Sequence, residues 1–261
     1  MGMAELQARW WSAAPRDWAE ISEPLSMPLH TATLAALGPL SGLTLLDVGC
    51  GSGLALRLAA ERGARVSGVD VARPMLDIAR DRLPGADLRV GDAQDLPFDD
   101  ATFDVVTAFN AIQYAAAPAA AVAELARVAR RGGRVAIGVW GDPARCETDA
   151  AFQRIRELAP APPGVAAPLA ISDPGMVEGL LAGAGLVQAV AGEVDCPFVF
   201  PDAATAWRGQ SSIGPFRRAI ELVGEDAVRE TYLRALEPFR QPDGTYRQEN
   251  VFRYVIAAKP A

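Results

Sequence analysis

From residue 43 to about residue 140, the pattern of apolar and polar positions alternates between one typical of buried strands and one typical of helices. Short aliphatic runs predict buried strands, and each of the first two runs leads into a stretch with apolar residues on one helical face. The predicted strands are LTLLDVG, RVSGVD, DLRVGD, TFDVVTAFN and RVAIGVW, and the predicted helices are LALRLAAERG, RPMLDIARDRLPG and PAAAVAELARVARRGG. This alternation is typical of a parallel sheet with helices on both faces, so we predict an α/β fold.

Glycine and proline residues predict where several elements begin and end. Gly63 ends the first of these helices, and Gly132-Gly133 ends the third. Farther along the chain, residues 159–168 form a Pro/Ala-rich loop. The helix DPGMVEGLLAGAG is then expected to begin with Asp173 as its N-cap and Pro174 at its first position.

The two ends of the chain have patterns of their own. The first 40 residues predict helices packed outside the sheet, and residues 202–238 predict short helices. The tail TYRQENVFRYVIAAKP alternates as an antiparallel strand does. We therefore expect one domain overall, with a helical N-terminal lid over residues 1–40, a core over residues 41–261, and a cap inserted at residues 196–246.

Composition narrows the classes of protein that fit. The chain has 261 residues, 50% of them hydrophobic, and a net charge of −7 with no basic stripe, which argues against a nucleic-acid surface. No apolar run reaches the roughly 18 residues of a membrane span, and MGMAELQARWW lacks the basic and apolar regions of a secretory leader. Three cysteines without CxxC spacing fit a reduced, cytoplasmic protein.

A glycine-rich turn joins the first predicted strand to the first predicted helix, in the sequence LLDVGCGSG at residues 45–53. Glycine permits positive φ and lets a ligand approach the backbone. The N–H groups at the start of the helix favour an anionic ligand group, and ligands of open α/β sheets lie beyond the carboxyl ends of the strands. We therefore expect residues 49–53 to form the floor of a ligand site.

Two kinds of ligand compete for this turn. A dinucleotide fingerprint is G-x-G-x-x-G, whereas here the third glycine comes one residue early and Leu54 occupies its place. Asp47 would also lie close to a pyrophosphate, where a like charge is unfavourable. A ligand with a carboxylate, an amine and a cationic centre fits better, because Asp47 attracts its positive end while the loop amides take the carboxylate.

The motif LLDVGCGSG resembles the first motif of class I S-adenosylmethionine-dependent methyltransferases. RVSGVD ends in Asp70, 19 residues after Gly51, and RVGDAQDLPFDDATFDVVTAFNAIQY also resembles the family. The resemblance covers roughly residues 40 to 140, and FRYVIAAKP resembles the last strand of the family. It implies a Rossmann-like sheet of seven strands, mostly parallel with the last strand antiparallel, with helices on both faces and a small helical cap.

The resemblance also implies S-adenosylmethionine as the cofactor and gives roles to several residues. Asp70 would take the ribose hydroxyls, Asp92 and Ala93 would face the adenine, and Asn110 would line the methionine end. Cys50 is expected to be a small packing residue of the loop rather than a nucleophile. The predicted cofactor-binding residues are Asp47, Gly49, Cys50, Gly51, Ser52, Asp70, Val71, Met75, Asp92, Ala93, Gln94 and Asn110.

Methyl transfer requires orientation and a water-poor pocket, and a hydroxyl acceptor often also needs a base. The candidates are His30 and Tyr114, with the alternatives that His30 packs in the apolar N-terminal stretch, that Tyr114 packs on the next helix, and that no base is present. Gln113 and Trp140, which follow strands, are further cleft candidates. We expect no metal, because Asp95, Asp99 and Asp100 have no His or Cys at ligand spacing.

Aromatic residues outside the sheet supply candidate walls for an acceptor site. Trp10, Trp11 and Trp18 close over the cofactor or staple the first helices, and packing is favoured for at least two of the three. The cap aromatics form an apolar lining or a core of their own: Phe198, Phe200, Trp207, Phe216, Tyr232, Phe239 and Tyr246. The arginines of the cap either hold an acidic substrate or form a solvated face, and the solvated face is favoured.

Three functions remain open from the sequence. The favoured one is methyl transfer from S-adenosylmethionine to a small-molecule acceptor by a monomer or homodimer, with no nucleic-acid or membrane partner. The second is a non-catalytic protein that holds S-adenosylmethionine or S-adenosylhomocysteine. The third is an NAD(P)-dependent oxidoreductase, against which the early third glycine argues.

Overall fold

The computed structural model of the chain describes residues 2–160 and 169–261. Residues 161–168, which include most of the predicted Pro/Ala-rich loop, lie outside the described residues, as does residue 1. The strands are β1 (Thr44–Val48), β2 (Arg65–Asp70), β3 (Asp87–Val90), β4 (Phe103–Phe109), β5 (Ala129–Trp140), β6 (Val187–Asp195), β7 (Phe198–Phe200), β8 (Tyr246–Gln248) and β9 (Val251–Ala258).

Helices precede, separate and flank these strands. The helices are α1 (Met3–Trp11), α2 (Pro15–Asp17), α3 (Met27–Ala36), α4 (Leu54–Ala60), α5 (Arg73–Arg82), α6 (Pro118–Val128), α7 (Asp149–Leu158), α8 (Met176–Gly183), α9 (Ala203–Ser211), α10 (Gly214–Val223) and α11 (Glu225–Leu236). A π-helical turn (Trp18–Ser22) and a 3₁₀ turn (Glu23–Ser26) join α2 to α3. None of the described helices is both long and apolar enough to cross a membrane.

Seven strands form the main sheet in the order β3-β2-β1-β4-β5-β9-β6. The strands from β3 to β5 pair in parallel, and β9 runs antiparallel to both β5 and β6. The predicted seven-stranded, mostly parallel sheet with an antiparallel last strand is therefore confirmed. The strand order reverses between β1 and β4, which is where open α/β sheets bind their ligands.

Both faces of the central strands are buried, which explains why these strands read as continuous apolar runs. Leu46 and Val106 belong to the apolar cluster that includes α6 and α8. Their neighbours Leu45 and Val105 belong to a second cluster with α3, α4 and α5. Successive side chains of a strand point to opposite faces, so one strand anchors helices on both sides of the sheet.

Two predicted element boundaries were wrong. Helix α6 ends at Val128 instead of Gly132-Gly133, because Ala129 already pairs with Phe103 of β4 and the chain continues as β5. Helix α8 begins at Met176, with Gly175 rather than Asp173 as its N-cap. Gly175 has a φ of 85°, and its carbonyl accepts the N–H of Gly179, so the turn containing Pro174 precedes the helix.

The tail, predicted as a single strand, forms two. β8 pairs with β7 in a separate two-stranded sheet, and β9 enters the main sheet. The two strands are separated at Asn250. Its side-chain carbonyl accepts the Thr148 N–H at 3.1 Å, and its backbone carbonyl accepts the Cys196 N–H at 2.8 Å. Asn250 thereby ties together three segments near the end of β5.

The N-terminal helices and the helices α9, α10 and α11 pack against each other above the sheet edge. Trp10 of α1 donates from Nε1 to Glu221 of α10 at 2.9 Å, and Ser22 donates from Oγ to the carbonyl of Gly209 at 2.7 Å. A Cβ on Gly209 would lie 2.7 Å from Cγ2 of Ile21, so only glycine permits this approach. Helix α7, which precedes β6, shares an apolar cluster with α10 and α11.

Candidate functional site

A pocket opens over the carboxyl ends of β1 to β5. Its floor comes from the residues at successive strand ends, which are Gly49 after β1, Asp70 in β2, Asp92 after β3, Asn110 after β4 and Trp140 in β5. The pocket lies where the strand order reverses, as expected for a ligand site of an open α/β sheet.

The glycine loop after β1 requires a bare backbone at Gly49. Its φ is +73°, and a Cβ there would lie 2.4 Å from the Cβ of Ala111. The N–H groups of Gly49 and Cys50 both donate to the carbonyl of Val69, at 2.8 Å and 3.1 Å. The loop is therefore held between the ends of β2 and β4, with no room for a side chain on the β4 side.

Asp70 fixes the other side of the loop. Its Oδ2 accepts the Gly51 N–H at 2.9 Å, and its Oδ1 accepts the Ala72 N–H at 2.8 Å. Burial raises the pKa of Asp70, and hydrogen bonds from the backbone of Ala72, Gly51 and Val71 oppose that rise. The carboxyl group faces the pocket while it holds the loop, so it is positioned to accept ligand hydroxyls with its remaining lone pairs.

The residues after β3 form a rigid wall of the pocket. Asp92, Ala93 and Gln94 all line it. Gln94 donates from Nε2 to both carboxylate oxygens of Asp92 at 3.2 Å, and its Oε1 accepts the Ala117 N–H at 2.8 Å. The Gln94 side chain thus links β3 to the start of α6 and orients Asp92.

Val71 and Met75 also line the pocket. Met75 is only 1% exposed, so it is both part of the helix core and part of the pocket surface. The packing of α5 beside the end of β2 allows both roles. The placement of Gly49, Gly51, Asp70, Asp92 and Asn110 in one pocket agrees with the predicted set, whose roles stay predictions.

Asp47 and Cys50 face a second, smaller cavity behind the glycine loop. Thr107 of β4 donates from Oγ1 to Oδ1 of Asp47 at 2.6 Å, and burial raises the pKa of Asp47 to about 7. Burial also raises the pKa of the Cys50 thiol, which fits the expected packing role. Ser52 is not among the described residues that line either cavity. Its side chain is buried against Arg82, whose guanidinium donates to Ser52 Oγ at 3.3 Å.

The two cavities adjoin at Trp18, Gly49, Gly51 and Asn110, which line both. Three buried side-chain atoms at the smaller cavity have no hydrogen-bond partner within the described residues, namely Nε1 of Trp18, Nδ1 of His30 and Oδ1 of Asn110. Buried polar atoms are nearly always bonded, so these three atoms indicate a polar ligand group. Asn110 also has a positive φ of 48°, a strained backbone state that clusters at functional sites.

The two candidate catalytic residues lie in different places. His30 lies beside Asp47 in the lining of the smaller cavity and does not line the larger pocket. Its ring is 4.6 Å from that of Phe109, and burial lowers its pKa to about 4, so it is neutral at pH 7. Tyr114 lines the larger pocket edge-on to Trp11, and burial raises its pKa above the usual value, so its phenol keeps its proton.

The sequence predicts that the backbone N–H groups at the start of α4 bind a carboxylate of the ligand, and the structure differs. Oε1 of Glu23 accepts the Leu54 N–H at 3.2 Å, so a carboxylate of the protein already occupies this position. The Glu23 carboxylate also pairs with Arg82, which donates to the carbonyls of Ser52 at 2.9 Å and Ala19 at 3.0 Å. No local pattern predicts this contact, because Glu23 and Leu54 are 31 residues apart.

Aromatic residues form the other end of the larger pocket. Trp11 and Trp18 line it with ring centroids 5.1 Å apart, whereas Trp10 does not line it. Trp10 is buried, and Trp11 and Trp18 pack against the apolar core as well as lining the pocket, so the packing role and the pocket role do not exclude each other. Trp140 lines the pocket as expected, whereas Gln113 is buried and does not.

The cap contributes less to the lining than its composition suggested. Of its seven predicted aromatics only Phe198 lines the pocket, while Phe200, Trp207, Phe216 and Tyr232 are buried in the core that the cap shares with α7. The sequence missed the pocket residues Phe152, Gln210, Ile213 and Phe252. No local motif marks them, since they come from α7, α9, the turn before α10 and β9.

Comparisons with known proteins agree with this fold and its glycine loop. Residues 46–137 match the family model described as a methyltransferase domain. The chain is 39% identical over 118 residues to demethylmenaquinone methyltransferase of Clavibacter sepedonicus, covering 44% of this chain and 48% of that protein. It is 37% identical over 139 residues to 27-O-demethylrifamycin SV methyltransferase of Amycolatopsis mediterranei, covering 49% and 50%. The chain thus spans about half the length of the curated relatives it matches.

Solved structures resemble nearly the whole chain. The geranyl diphosphate C-methyltransferase of Streptomyces coelicolor has a TM-score of 0.59 at 18% identity and covers 99% of this chain and 98% of its own. The YcgJ protein of Bacillus subtilis has a TM-score of 0.61 at 19% identity, covering 89% and 98%. At these identities the likeness shows the fold. Together with the family match, it confirms the resemblance to class I S-adenosylmethionine-dependent methyltransferases that residues 46–137 carry.

Proposed function

We propose that this chain transfers the methyl group of S-adenosylmethionine to a small-molecule acceptor. The observation that carries the proposal is one continuous pocket in which the glycine loop, Asp70 and Asp92 lie at neighbouring strand ends and face an apolar wall. Such a pocket offers a polar half for a nucleoside joined to an amino acid and an apolar half for the acceptor. The methyltransferase names of the relatives support the same reaction.

The residues present fit the cofactor. Asp70 suits the ribose hydroxyls, and Asp92 with Ala93 suits the adenine. At the smaller cavity the unpartnered Asn110 Oδ1 and the carboxyl group of Asp47 suit an ammonium group, while Nε1 of Trp18 suits a carboxylate. His30 is neutral there, so its Nδ1 supplies one further hydrogen bond without adding charge.

The cofactor supplies an activated methyl group, and the chain supplies orientation and the exclusion of water. Trp11 and Trp18 close the pocket from the N-terminal side, and Phe152 and Phe198 close it from the other side. Among its described lining residues the larger pocket holds no His, Lys, Arg or Glu. The protonated phenol of Tyr114 therefore orients an acceptor as a hydrogen-bond donor, and the acceptor brings its own nucleophile.

We further propose that residues 1–40 act as a lid and residues 196–246 as a cap, and that the protein works in the cytoplasm as a monomer or homodimer. The contact between Ser22 and Gly209 supports joint closure of these two segments. The free, buried thiols of Cys50, Cys146 and Cys196 support a reducing compartment. Light scattering coupled to size exclusion would measure the oligomeric state.

The test combines cofactor binding with turnover. Replacing Asp70 with Asn removes the carboxylate that holds Gly51, so we expect calorimetry to show at least about tenfold weaker binding of S-adenosylhomocysteine. The control Asp81→Asn changes an exposed carboxylate of α5 and should bind as the wild type does. Unchanged affinity of the Asp70 variant would contradict the assignment.

Turnover is tested with radiolabelled S-adenosylmethionine and a metabolite extract. Transfer of the label to an extractable small molecule supports the proposal. Tight binding of the cofactor without any labelled product would instead support the non-catalytic binding protein. The absence of a strong base among the described pocket residues makes this comparison necessary.

A further inference from the structure

We propose that the acceptor is an uncharged, apolar ring compound that carries a hydrogen-bond donor, and that Gln210 recognises this donor. The identification of this part of the pocket with the acceptor rests on the proposed function. The proposal itself follows from the aromatic wall of the pocket, from the charges around it, and from one buried polar atom without a partner.

The wall opposite the cofactor half is built from aromatic rings. Trp140 contacts Phe252 with ring centroids 4.4 Å apart, Phe198 at 5.6 Å and Phe152 at 5.7 Å, and all four residues line the pocket. Their rings meet at tilted or edge-to-face angles, which leaves both ring edges and ring faces available. Aromatic surfaces of this kind favour a planar, apolar ligand over an extended polar one.

The charges near this wall do not suit an anionic acceptor. Among the described lining residues the only carboxylates are Asp70 and Asp92 at the cofactor half, and none carries a positive charge. None of the cap arginines is among the described lining residues; Arg208 pairs with Asp17 at 2.6 Å, and Arg218 donates to the carbonyl of Pro160 at 3.0 Å. A phosphate or carboxylate head group would be buried without a counter-charge, which is strongly unfavourable.

Gln210 supplies the specific polar contact. It is 3% exposed, it lines the pocket, and its Oε1 is buried without a hydrogen-bond partner among the described residues. Two other polar residues of this lining already have partners, since Ser22 donates to Gly209 at 2.7 Å and Gln7 accepts from Nε1 of Trp11 at 3.0 Å. A buried acceptor of this kind requires a donor, which an acceptor hydroxyl or N–H group provides.

The backbone that carries Gln210 is fixed. The carbonyl of the preceding Gly209 accepts the hydroxyls of Ser22 at 2.7 Å and Ser212 at 2.6 Å. The backbone at Gln210 is therefore held in place, and its side chain is buried in the lining of the same pocket as the aromatic wall. This geometry makes Gln210 a specificity-determining residue, which acts on the choice of acceptor.

The probes are three compounds with the same ring, 2-naphthol, 2-methoxynaphthalene and 2-naphthyl phosphate. Equilibrium dialysis measures their binding to the full chain saturated with S-adenosylhomocysteine. We expect 2-naphthol to bind at least about fivefold more tightly than 2-methoxynaphthalene, which has no donor, and 2-naphthyl phosphate to bind most weakly. Equal binding of the first two compounds, or tighter binding of the phosphate, would overturn the proposal.

Variants locate the donor contact. Gln210→Met keeps the length of the side chain and should abolish the preference for 2-naphthol over 2-methoxynaphthalene. The control Gln188→Met, on the exposed side of β6, should retain the preference. A preference that survives in Gln210→Met would overturn the role of Gln210. The ligand series on the wild-type chain keeps the proposal testable if this variant does not fold.

Failure of this inference is distinguishable from failure of the proposed function. Calorimetry with S-adenosylhomocysteine alone tests the cofactor half and does not involve Gln210. A chain that binds S-adenosylhomocysteine and also prefers 2-naphthyl phosphate keeps the proposed function and loses this inference. A chain that binds no S-adenosylhomocysteine, but shows the expected ring preference in its absence, loses the proposed function and keeps the donor contact at Gln210, with the ring compound then a ligand rather than a methyl acceptor.

Discussion

The carboxyl group of Asp47 is buried. It is 2% exposed, its partner is the hydroxyl of Thr107, and burial raises its pKa from 3.8 to about 7. In the unfolded chain this carboxyl group loses its proton near pH 4, whereas in the folded protein it keeps the proton up to about pH 7. Its contribution to the free energy of unfolding is therefore greatest at low pH and is lost as the pH rises from about 4 to about 7.

We therefore expect Asp47→Asn to gain stability relative to the wild type as the pH rises. The amide keeps a hydrogen bond to Thr107 and has no charge to bury. The difference in unfolding free energy should grow by up to about 4 kcal/mol between pH 4 and pH 8, measured by urea denaturation at each pH.

Comparing the Asp47→Asn variant with the wild type at each pH cancels the contribution of His30 to the free energy of unfolding. Burial lowers the pKa of His30 to about 4, so its contribution is lost as the pH falls, but it is the same in both chains. Asp81→Asn, at an exposed site, is the matched control for the loss of one acidic side chain. A flat difference for Asp47→Asn would mean that Asp47 is ionised in the folded protein throughout this range.

The sequence predicts some of these residues and not others for a physical reason. Asp70 and Asp92 are recognisable because Asp70 ends β2 and Asp92 follows β3, and the carboxyl ends of parallel strands meet at one edge. The direction in which Asp47 faces depends on Thr107, which lies 60 residues away on β4. The unpartnered amide of Gln210 depends in the same way on the fold of distant segments.

At the scale of elements, the N-terminal segment is tied to the glycine loop through one buried charge. The side chain of Glu23 is 5% exposed and pairs with Arg82 of α5, which is 26% exposed. Loss of one partner of a buried pair leaves an uncompensated charge and costs about 3–5 kcal/mol. The pair thus holds the segment between α2 and α3 against the start of α4.

We expect Arg82→Met to loosen the N-terminal segment. Trypsin should then cleave after Arg9 and Arg16 at least about tenfold faster than in the wild type, because local opening exposes these sites. Mass spectrometry of timed digests measures the rate. Arg80→Met removes an exposed ion pair with Asp77 on the same helix and should leave the cleavage rate unchanged. Equal rates for both variants would show that the Glu23–Arg82 pair does not hold the segment.

Element boundaries follow from the sequence only where the local signal decides them. Helix α5 begins at Arg73, beside Pro74, as its sequence indicates, because proline suits the first turn of a helix. Helix α6 ends four residues before its glycines, because strand pairing of Ala129 with Phe103 outweighs local helix propensity. Pairing between strands that are distant in sequence is not visible in a local pattern.

At the scale of the whole molecule, binding of the cofactor should stabilise the fold. A ligand present at 100 times its dissociation constant adds about 2.7 kcal/mol to the free energy of unfolding. For a chain of this size we expect S-adenosylhomocysteine to raise the Tm by roughly 5–10 °C, measured by differential scanning calorimetry.

The same scan separates the remaining classes of function. NAD and NADP at equal concentration should leave the Tm unchanged, because Asp47 and the early third glycine do not suit a pyrophosphate. A rise of the Tm with NAD and none with S-adenosylhomocysteine would favour the oxidoreductase and contradict the cofactor assignment.

The seam at Gly209 has a consequence for access to the pocket. The N-terminal segment and α9 approach so closely there that a Cβ at position 209 would lie 2.7 Å from Cγ2 of Ile21, which is too close for two carbon atoms. Adding one carbon atom at position 209 would therefore separate the N-terminal segment from α9. Any larger residue at position 209 would therefore push apart two segments that both carry pocket residues, Trp18 and Ser22 on one side and Gln210 on the other.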